Sequence, residues 1–250
     1  MRNMDQRGKM LFKHELNGWE SWNKIATSCE VFAPIIYSIF DREGLPINTI
    51  HNCAIATNAV FRVDNYVIKI YAPVETGVND GNNTEPVVYK YAYDLGLPVP
   101  KLISHGVYRD KYQFEYIIME YVEGIPFDRA CMIASIEEKR NYIRQLREIL
   151  DQLNRPLDNL IPKSNLIGRA INNERWKGLS ESLVAELIGR AKTLSYENLE
   201  LAHGDLTPGN LIIDSNNKLW IIDFGEAQLV PPYYELVSII FVLFKWDKFL

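Results

Sequence analysis

The chain of 250 residues is short of cysteine, with only Cys29, Cys53 and Cys131. They are odd in number, far apart and never in a CxxC pair, so neither a disulfide framework nor a thiolate zinc site is expected, and a reducing cytoplasmic setting fits. Long apolar runs are missing too. The longest, "LVSIIFVLF" (Leu236 to Phe244), is too short to span a bilayer and reads as a buried helix. The start, "MRNMDQRGKMLFKHEL", has charges throughout and no apolar centre, so it is not expected to be a signal peptide. An excess of basic charge is absent: the net charge is −5. That argues against a nucleic-acid partner and leaves room for a cationic ligand. No membrane partner is expected, and the oligomeric state is left open. His14, His51 and His105 show no metal-ligand spacing. Neither GxxxxGK[ST] nor GxGxxG occurs, which excludes a P-loop fold on motif grounds.

What is present is an ordinary folded composition, 47% hydrophobic and 24% charged, long enough for one large domain or two lobes. Apolar residues from Trp19 to about Phe40 fall near helical spacing, with Pro34 expected to kink or split that helix. Between about Ile50 and Tyr121 the texture turns to strands. "NAVFRV" and "YVIKIYA" flank "DN", a hairpin signal, and "KYQFEYIIMEYV" is a further strand. Between them a short helix is expected, capped by Thr84, with Pro86 in its first turn and Gly96 and Pro98 ending it. "GVNDGNN" (Gly77 to Asn83) has the composition of a flexible loop.

After Gly124 the texture is helical. One stripe runs through Ile136, Ile143, Leu146, Ile149, Leu150 and Leu153, another through Leu183, Val184, Leu187, Ile188 and Ala191. Two short strands, "NLIID" and "LWIID", follow around "SNNK". The expected organisation is an N-terminal helical extension (1–45), a β-rich lobe with its connector (46–123) and a helical lobe (124–250). A nucleotide could lie between two such lobes.

The segment "HGDLTPGNLIID" holds the candidate chemistry. Antiparallel pairing of the two short strands brings Asn210 beside Asp223. An amide oxygen and a carboxylate side by side are hard ligands of the kind Mg²⁺ accepts, with phosphate and water completing the shell. Asp205, on the loop before Asn210, could take a proton from a hydroxyl. Each of these residues alone also suits an ordinary turn. His203 is either a base or a brace for the loop, and bracing is the favoured reading.

Together, "HGDLTPGNLIID" and "LWIIDFGEA" resemble the catalytic loop and metal segment of the aminoglycoside phosphotransferase family of protein-kinase-like enzymes. The resemblance extends from about Ile50 onward. "ATNAVFRVDNYVIKIY" looks like that family's nucleotide-positioning hairpin and lysine strand, "GLPVPKLI" like its helix-to-strand connection, and "YIIMEYVEG" like its inter-lobe linker. The C-terminal "PPYYELVSIIFVLFKWDKFL" looks like the helix after its metal segment, in the manner of hygromycin phosphotransferase-like members. The resemblance implies an α+β, bilobal protein-kinase-like fold with a small β-rich N-lobe and a larger, mainly helical C-lobe.

The implied activity is transfer of the γ-phosphoryl group of ATP or GTP, with Mg²⁺, to a hydroxyl of a small molecule. In a kinase-like lobe Lys69 would reach the α- and β-phosphates rather than solvent, held by Glu85, with Glu75 as rival. Thr57 and Asn58 stand in place of a glycine-rich loop. The Glu120 carbonyl and Val122 amide would meet the base, Met119 would lie behind it, and Ile212 would floor the pocket. Asp205 would act on the acceptor, and Asn210 and Asp223 would hold the metal. Gly204 stands where protein kinases usually carry an arginine, which turns the expected acceptor from protein to small molecule. An aminoglycoside is the family-level expectation. Alternatives are a choline-, homoserine- or fructosamine-like alcohol, or a catalytically silent nucleotide-binding module. Glu226 and Glu235 are either attractors for a polyamine sugar or plain surface and cap charges.

Overall fold

In this computed structural model the described residues are 10–53, 57–76, 83–156, 161, 163, 165–172, 174–193 and 198–244. The expected "GVNDGNN" loop lies outside them except for Asn83. The chain divides into two compact units: Met1–Asp94 with Val99–Glu123, and Leu95–Pro98 with Gly124–Leu250.

The first unit begins with α1 (Trp19–Asn23) and α2 (Cys29–Glu43). The break between them falls at residues 24–28, not at Pro34 as expected. The Ser28 side chain accepts the Val31 N–H and starts α2 there, and Gly44 closes it at φ 67°. Pro34 rides inside α2 because the helix is held along its length: Phe32, Ile35, Ile36, Ile39 and Phe40 are all buried. They share one core with Phe12, Trp22, Phe61 and Phe114. The tilted and edge-on ring pairs in that core, such as Trp22–Phe32 and Phe12–Phe114, suit the aromatic quadrupole. Residues 10–43 thus pack as part of the first unit's core.

Next come β1 (Ile50–Asn52), β2 (Ala59–Val63), β3 (Tyr66–Ile70), α3 (Glu85–Asp94), β4 (Leu102–Arg109) and β5 (Gln113–Glu120). The five strands form an antiparallel sheet in the order β1-β2-β3-β5-β4. The β2–β3 hairpin turns at Asp64 and Asn65, with Asp64 at φ 52°. Helix α3 begins at Glu85, so Pro86 does sit in its first turn, and Gly96 follows its end at φ 74°.

The second unit holds β6 (Ile125–Pro126), α4 (Phe127–Ile133), α5 (Ile136–Leu153), α6 (Leu166–Ile171) and α7 (Glu181–Thr193). After them come β7 (Glu200–Ala202), β8 (Leu211–Ile213), β9 (Leu219–Ile221), β10 (Gln228–Val230) and α8 (Glu235–Ser238), which runs into a π-helical turn at Ile239–Leu243. Helix α5 starts on a capping box between Ser135 and Glu138. It buries Tyr142, Leu146, Ile149 and Leu153, while Ile136 is exposed, so the buried stripe begins one turn later than its apolar spacing implies. Helix α7 forms, but none of its described side chains is fully buried. The last apolar run is also not a buried helix: Ile239 and Leu243 are covered, whereas Leu236, Val237, Ile240 and Phe241 are exposed. No helix among the described residues is long and apolar enough to cross a membrane.

Two small sheets position the segment from 203 to 223. β8 pairs with β6 on one side and β9 on the other, and β7 pairs with β10. Gly124 lets the chain approach β8 closely, since a Cβ there would stand 2.5 Å from the Ile212 methyl and the Ile213 carbonyl.

Candidate active site

In the first unit, β3 carries Lys69 inward. Both Lys69 and Glu85 are buried, at 5% and 1% exposure, and their charged groups meet at 2.7 Å. Glu75, the rival, is exposed in the 3-10 turn after the strand. A buried ion pair needs further donors to offset desolvation. Tyr71 provides one, its hydroxyl donating to the same Glu85 oxygen at 2.5 Å. Burial first, and the Glu85 carboxylate second, push the Tyr71 phenol far upward, so it stays a donor. At the helix start the Asn83 side chain accepts the Glu85 N–H. Thr84 contributes its carbonyl, which accepts from Val87 and Val88.

Thr57 and Asn58 lie just before β2, with Thr57 exposed and Asn58 half-buried. The Trp22 indole N–H donates to the Thr57 carbonyl at 2.8 Å, so α1 braces this turn. Met119 is buried near the end of β5. The Glu120 N–H is spent on the Lys101 carbonyl and the Tyr121 N–H on the Asn65 carbonyl. The Val122 N–H enters no backbone bond among the described residues.

In the second unit, the loop after β7 carries His203, Gly204 and Asp205, and a 3-10 turn at Pro208–Asn210 leads into β8. The Asn210 amide donates to the Asp205 carbonyl at 2.8 Å and to its carboxylate at 2.9 Å. This fixes the Asp205 side chain and directs the Asn210 Oδ1 elsewhere. Ile222 donates its N–H to the Asn210 carbonyl, extending the β8–β9 register by one pair. Asp223 follows one residue beyond this Asn210–Ile222 pair. It sits at φ 64°, a left-handed conformation that re-aims its side chain, and accepts the Gly225 N–H at 3.3 Å. Ile212, on β8, is half-buried. An amide oxygen at Asn210 and a carboxylate at Asp223 are donor types that would suit Mg²⁺ alongside phosphate and water. Among the described residues no three His, Cys, Asp or Glu side chains gather into a metal cluster of the protein's own.

His203 is fully buried. Its Nε2 meets the Ile222 carbonyl at 3.0 Å, its Nδ1 accepts the Asp205 N–H at 3.3 Å, and its ring packs on Phe224. These are the contacts of a brace. Gly204 has φ 85°, and a Cβ there would lie 2.2 Å from the Glu226 carbonyl. The backbone itself therefore demands glycine at this position, whatever the acceptor.

Of the two carboxylates left open between attractor and plain surface or cap charge, one departs from both. Glu226 is exposed, but Glu235 is neither a surface charge nor an attractor open to solvent: it is buried at 2%. Its Oε1 accepts the N–H groups of His203 and Gly204. Trp22, Tyr71 and Asn83 were not read as site residues either. Trp22 and Thr57, and Tyr71 and Glu85, are brought together only by folding, whereas Asn83 lies two residues from Glu85 and makes a local contact.

A strand-borne lysine paired with a helix glutamate, and a loop Asp and Asn near an Asp-Phe-Gly turn, define a protein-kinase-like α+β enzyme that transfers phosphoryl groups to small molecules. The chain belongs to the phosphotransferase enzyme family, whose pattern it matches over residues 54–249. No curated protein matches it significantly in sequence. Among solved structures it is similar to the GDP complex of aminoglycoside 2'-phosphotransferase-IIIa, with 20% identity and TM-score 0.60 over 82% of this chain and 77% of that one. It is also similar to ADP-bound aminoglycoside phosphotransferase APH(2'')-Ib, with 18% identity and TM-score 0.60 over 83% and 75%. The choline kinase of Streptococcus pneumoniae matches with 17% identity and TM-score 0.60 over 84% and 74%.

Proposed function

We propose that this protein transfers the γ-phosphoryl group of ATP or GTP, in a magnesium-dependent reaction, to a hydroxyl of a small molecule, an aminoglycoside being the first candidate. The observation that carries the reading is the locked Asp205–Asn210 pair, with Asp223 next after the residue that pairs with Asn210. Asp205 orients the acceptor hydroxyl and takes its proton. Asn210 has its amide N–H groups committed to Asp205, so its oxygen and the Asp223 carboxylate would hold Mg²⁺. A bound Mg²⁺ would neutralise charge on the phosphate oxygens. Lys69, held by Glu85, would fix the α- and β-phosphates. The Val122 N–H and Glu120 carbonyl would meet the base, with Met119 and Ile212 lining its site and Thr57 and Asn58 near the phosphates. In this scheme positioning and charge neutralisation supply most of the acceleration.

The donor reading draws on relatives crystallised with GDP and ADP. The acceptor reading draws on a relative holding GDP and kanamycin, at 19% identity and TM-score 0.60. A choline-like alcohol is the second reading, favoured by the likeness to choline kinase. A cytoplasmic setting belongs to the same proposal, supported by three cysteines that are scattered along the chain and never in a CxxC pair. The test is nucleotide consumption with ATP and with GTP, with and without Mg²⁺, against kanamycin, other aminoglycosides and choline. Asp205→Ala should abolish transfer while nucleotide binding survives. Turnover retained in that variant would sink the assignment of Asp205, and no consumption under any condition would leave a silent module.

A further inference from the structure

The segment before α2 takes no part in the chemistry proposed above, yet it is fastened to the first unit at two places. In the β4–β5 turn the Asp110 carboxylate accepts the Leu11 and Phe12 N–H groups at 2.8 and 2.6 Å. Beside it the Tyr112 hydroxyl accepts the Leu16 N–H at 2.9 Å. At α1 the Trp22 indole N–H donates to the Thr57 carbonyl at 2.8 Å. The segment thus runs as a strap from the β4–β5 turn to the turn just before β2.

Packing accounts for the Trp22 ring. It is fully buried and meets Phe32 edge-on, in the core that also holds Ala59, Phe61, Ile68 and Ile70. The indole N–H does something more, because its acceptor belongs to a turn rather than to the sheet. Holding the Thr57 carbonyl fixes the plane of the Thr57–Asn58 peptide. In a trans peptide the carbonyl and the following N–H point in opposite directions. The carbonyl that turns to Trp22 therefore turns the Asn58 N–H away from the core. Strand alternation says what lies on that other side. Ala59 and Phe61, with their partners Ile70 and Ile68, face the core, so Val60 and its partner Lys69 face away from it. The Asn58 N–H is thus aimed to the face of the sheet that carries Lys69, two residues before the strand partner of that lysine. It enters no backbone bond among the described residues. A fixed N–H on the same face as an ammonium suits an anionic oxygen, and most of all a phosphate.

We propose that Trp22 is a positioning residue for the phosphoryl donor: by holding the Thr57 carbonyl it presents the Asn58 N–H to a phosphate of the nucleotide, on the same face as Lys69. This rests on the phosphotransferase reading, in which Thr57 and Asn58 lie near the phosphates. The ligand class concerned is a nucleoside di- or triphosphate. A nucleoside without phosphate has no group for this N–H to meet. An indole that served only as packing would change the affinity for nucleotide and nucleoside alike, or change neither.

The test is isothermal titration calorimetry of the full chain, in buffer with Mg²⁺, against ADP and GDP and against adenosine and guanosine. Trp22→Phe keeps a ring in the core and removes the donor. Its affinity for the diphosphate should fall roughly three- to tenfold, the scale of a weakened hydrogen bond to a charged group, while its affinity for the nucleoside stays as in the wild type. Phe32→Leu disturbs the same packing and keeps the indole bond. It should lower Tm and leave the ratio of diphosphate to nucleoside affinity unchanged. Asn58→Pro removes the N–H itself without touching the core, and should lower that ratio at least as far as Trp22→Phe. It decides the matter even where Trp22→Phe does not fold. A wild-type ratio in either Trp22→Phe or Asn58→Pro overturns the proposal. So does an equal fall of the ratio in Phe32→Leu, since packing alone then explains it. Wild-type protein that binds neither diphosphate defeats the phosphotransferase reading and this proposal with it. Wild-type protein that binds a diphosphate, with nothing lost in Trp22→Phe, defeats the role of Trp22 and leaves that reading standing.

Discussion

Glu85→Gln isolates the charge of one buried carboxylate while keeping its shape. The Lys69 ammonium, buried at 5% and 2.7 Å from Glu85 in the wild type, is left facing a neutral amide. Removing one partner of a buried pair costs about 3–5 kcal/mol, because the surviving charge stays desolvated. For a chain of this size each kcal/mol moves Tm by about 2–4 °C, so the expected loss is roughly 6–20 °C. The Tyr71 hydroxyl keeps an acceptor in the Gln oxygen, which keeps its bond out of the difference. The double variant Lys69→Met/Glu85→Gln then removes both charges and should return stability to within about 1–2 kcal/mol of wild type, as neutral replacements of buried pairs usually do. Nucleotide affinity should not return with it. Differential scanning calorimetry of the three proteins, with nucleotide titrations beside it, decides the matter. A single variant within 2 °C of wild type, or a double variant no more stable than the single, would refute the claim that this pair is a desolvated, mutually dependent unit.

Gly204→Ala should lose at least about 1–2 kcal/mol from its left-handed φ alone, and more from the clash with the Glu226 carbonyl. Its activity should fall further than its stability, and a variant with wild-type Tm would refute the close approach. Ser135→Ala, which deletes the capping box of α5, should cost about 0.5–2 kcal/mol in urea denaturation with no change in m-value. The Asn48 N–H first, with the Thr49 hydroxyl and N–H, holds the Asp64 carboxyl below its ordinary 3.8. That stabilisation is complete above 3.8 and is lost as pH falls through the lower folded value. The Tm gap between wild type and Asp64→Asn should therefore be open at pH 6 and close on acidification, and a gap independent of pH would contradict it.

Much of the first unit was legible because its signals are local. The Asp-Asn turn marks the β2–β3 hairpin, and the Thr84–Pro86 start and Gly96 stop mark α3. The spacing from Asp205 to Asn210 and on to Asp223 was readable for the same reason: two short strands and one turn bring these residues together. Less was legible where long-range packing overrules a local rule. Pro34 should have interrupted α2, but five buried side chains hold the helix through it. The run at Leu236–Phe244 promised a buried helix, yet periodicity states only that one face is apolar, not what covers it.

By itself, the sequence determined the kind of chemistry. It supplies one lysine on an apolar strand, and an Asp, an Asn and a second Asp at distances that short-range hydrogen bonding converts into neighbours. Tertiary structure decided which groups carry a cost. Lys69 and Glu85 lie 16 residues apart, and His203 and Glu235 lie 32 apart. Whether such charges are solvated or buried depends on what the rest of the chain lays over them, and that sets their strength. Gly204 shows the division most clearly. Its place in the motif can be read along the chain, but the reason it must be glycine is a carbonyl 22 residues away that only the folded backbone brings within 2.2 Å of where a Cβ would stand.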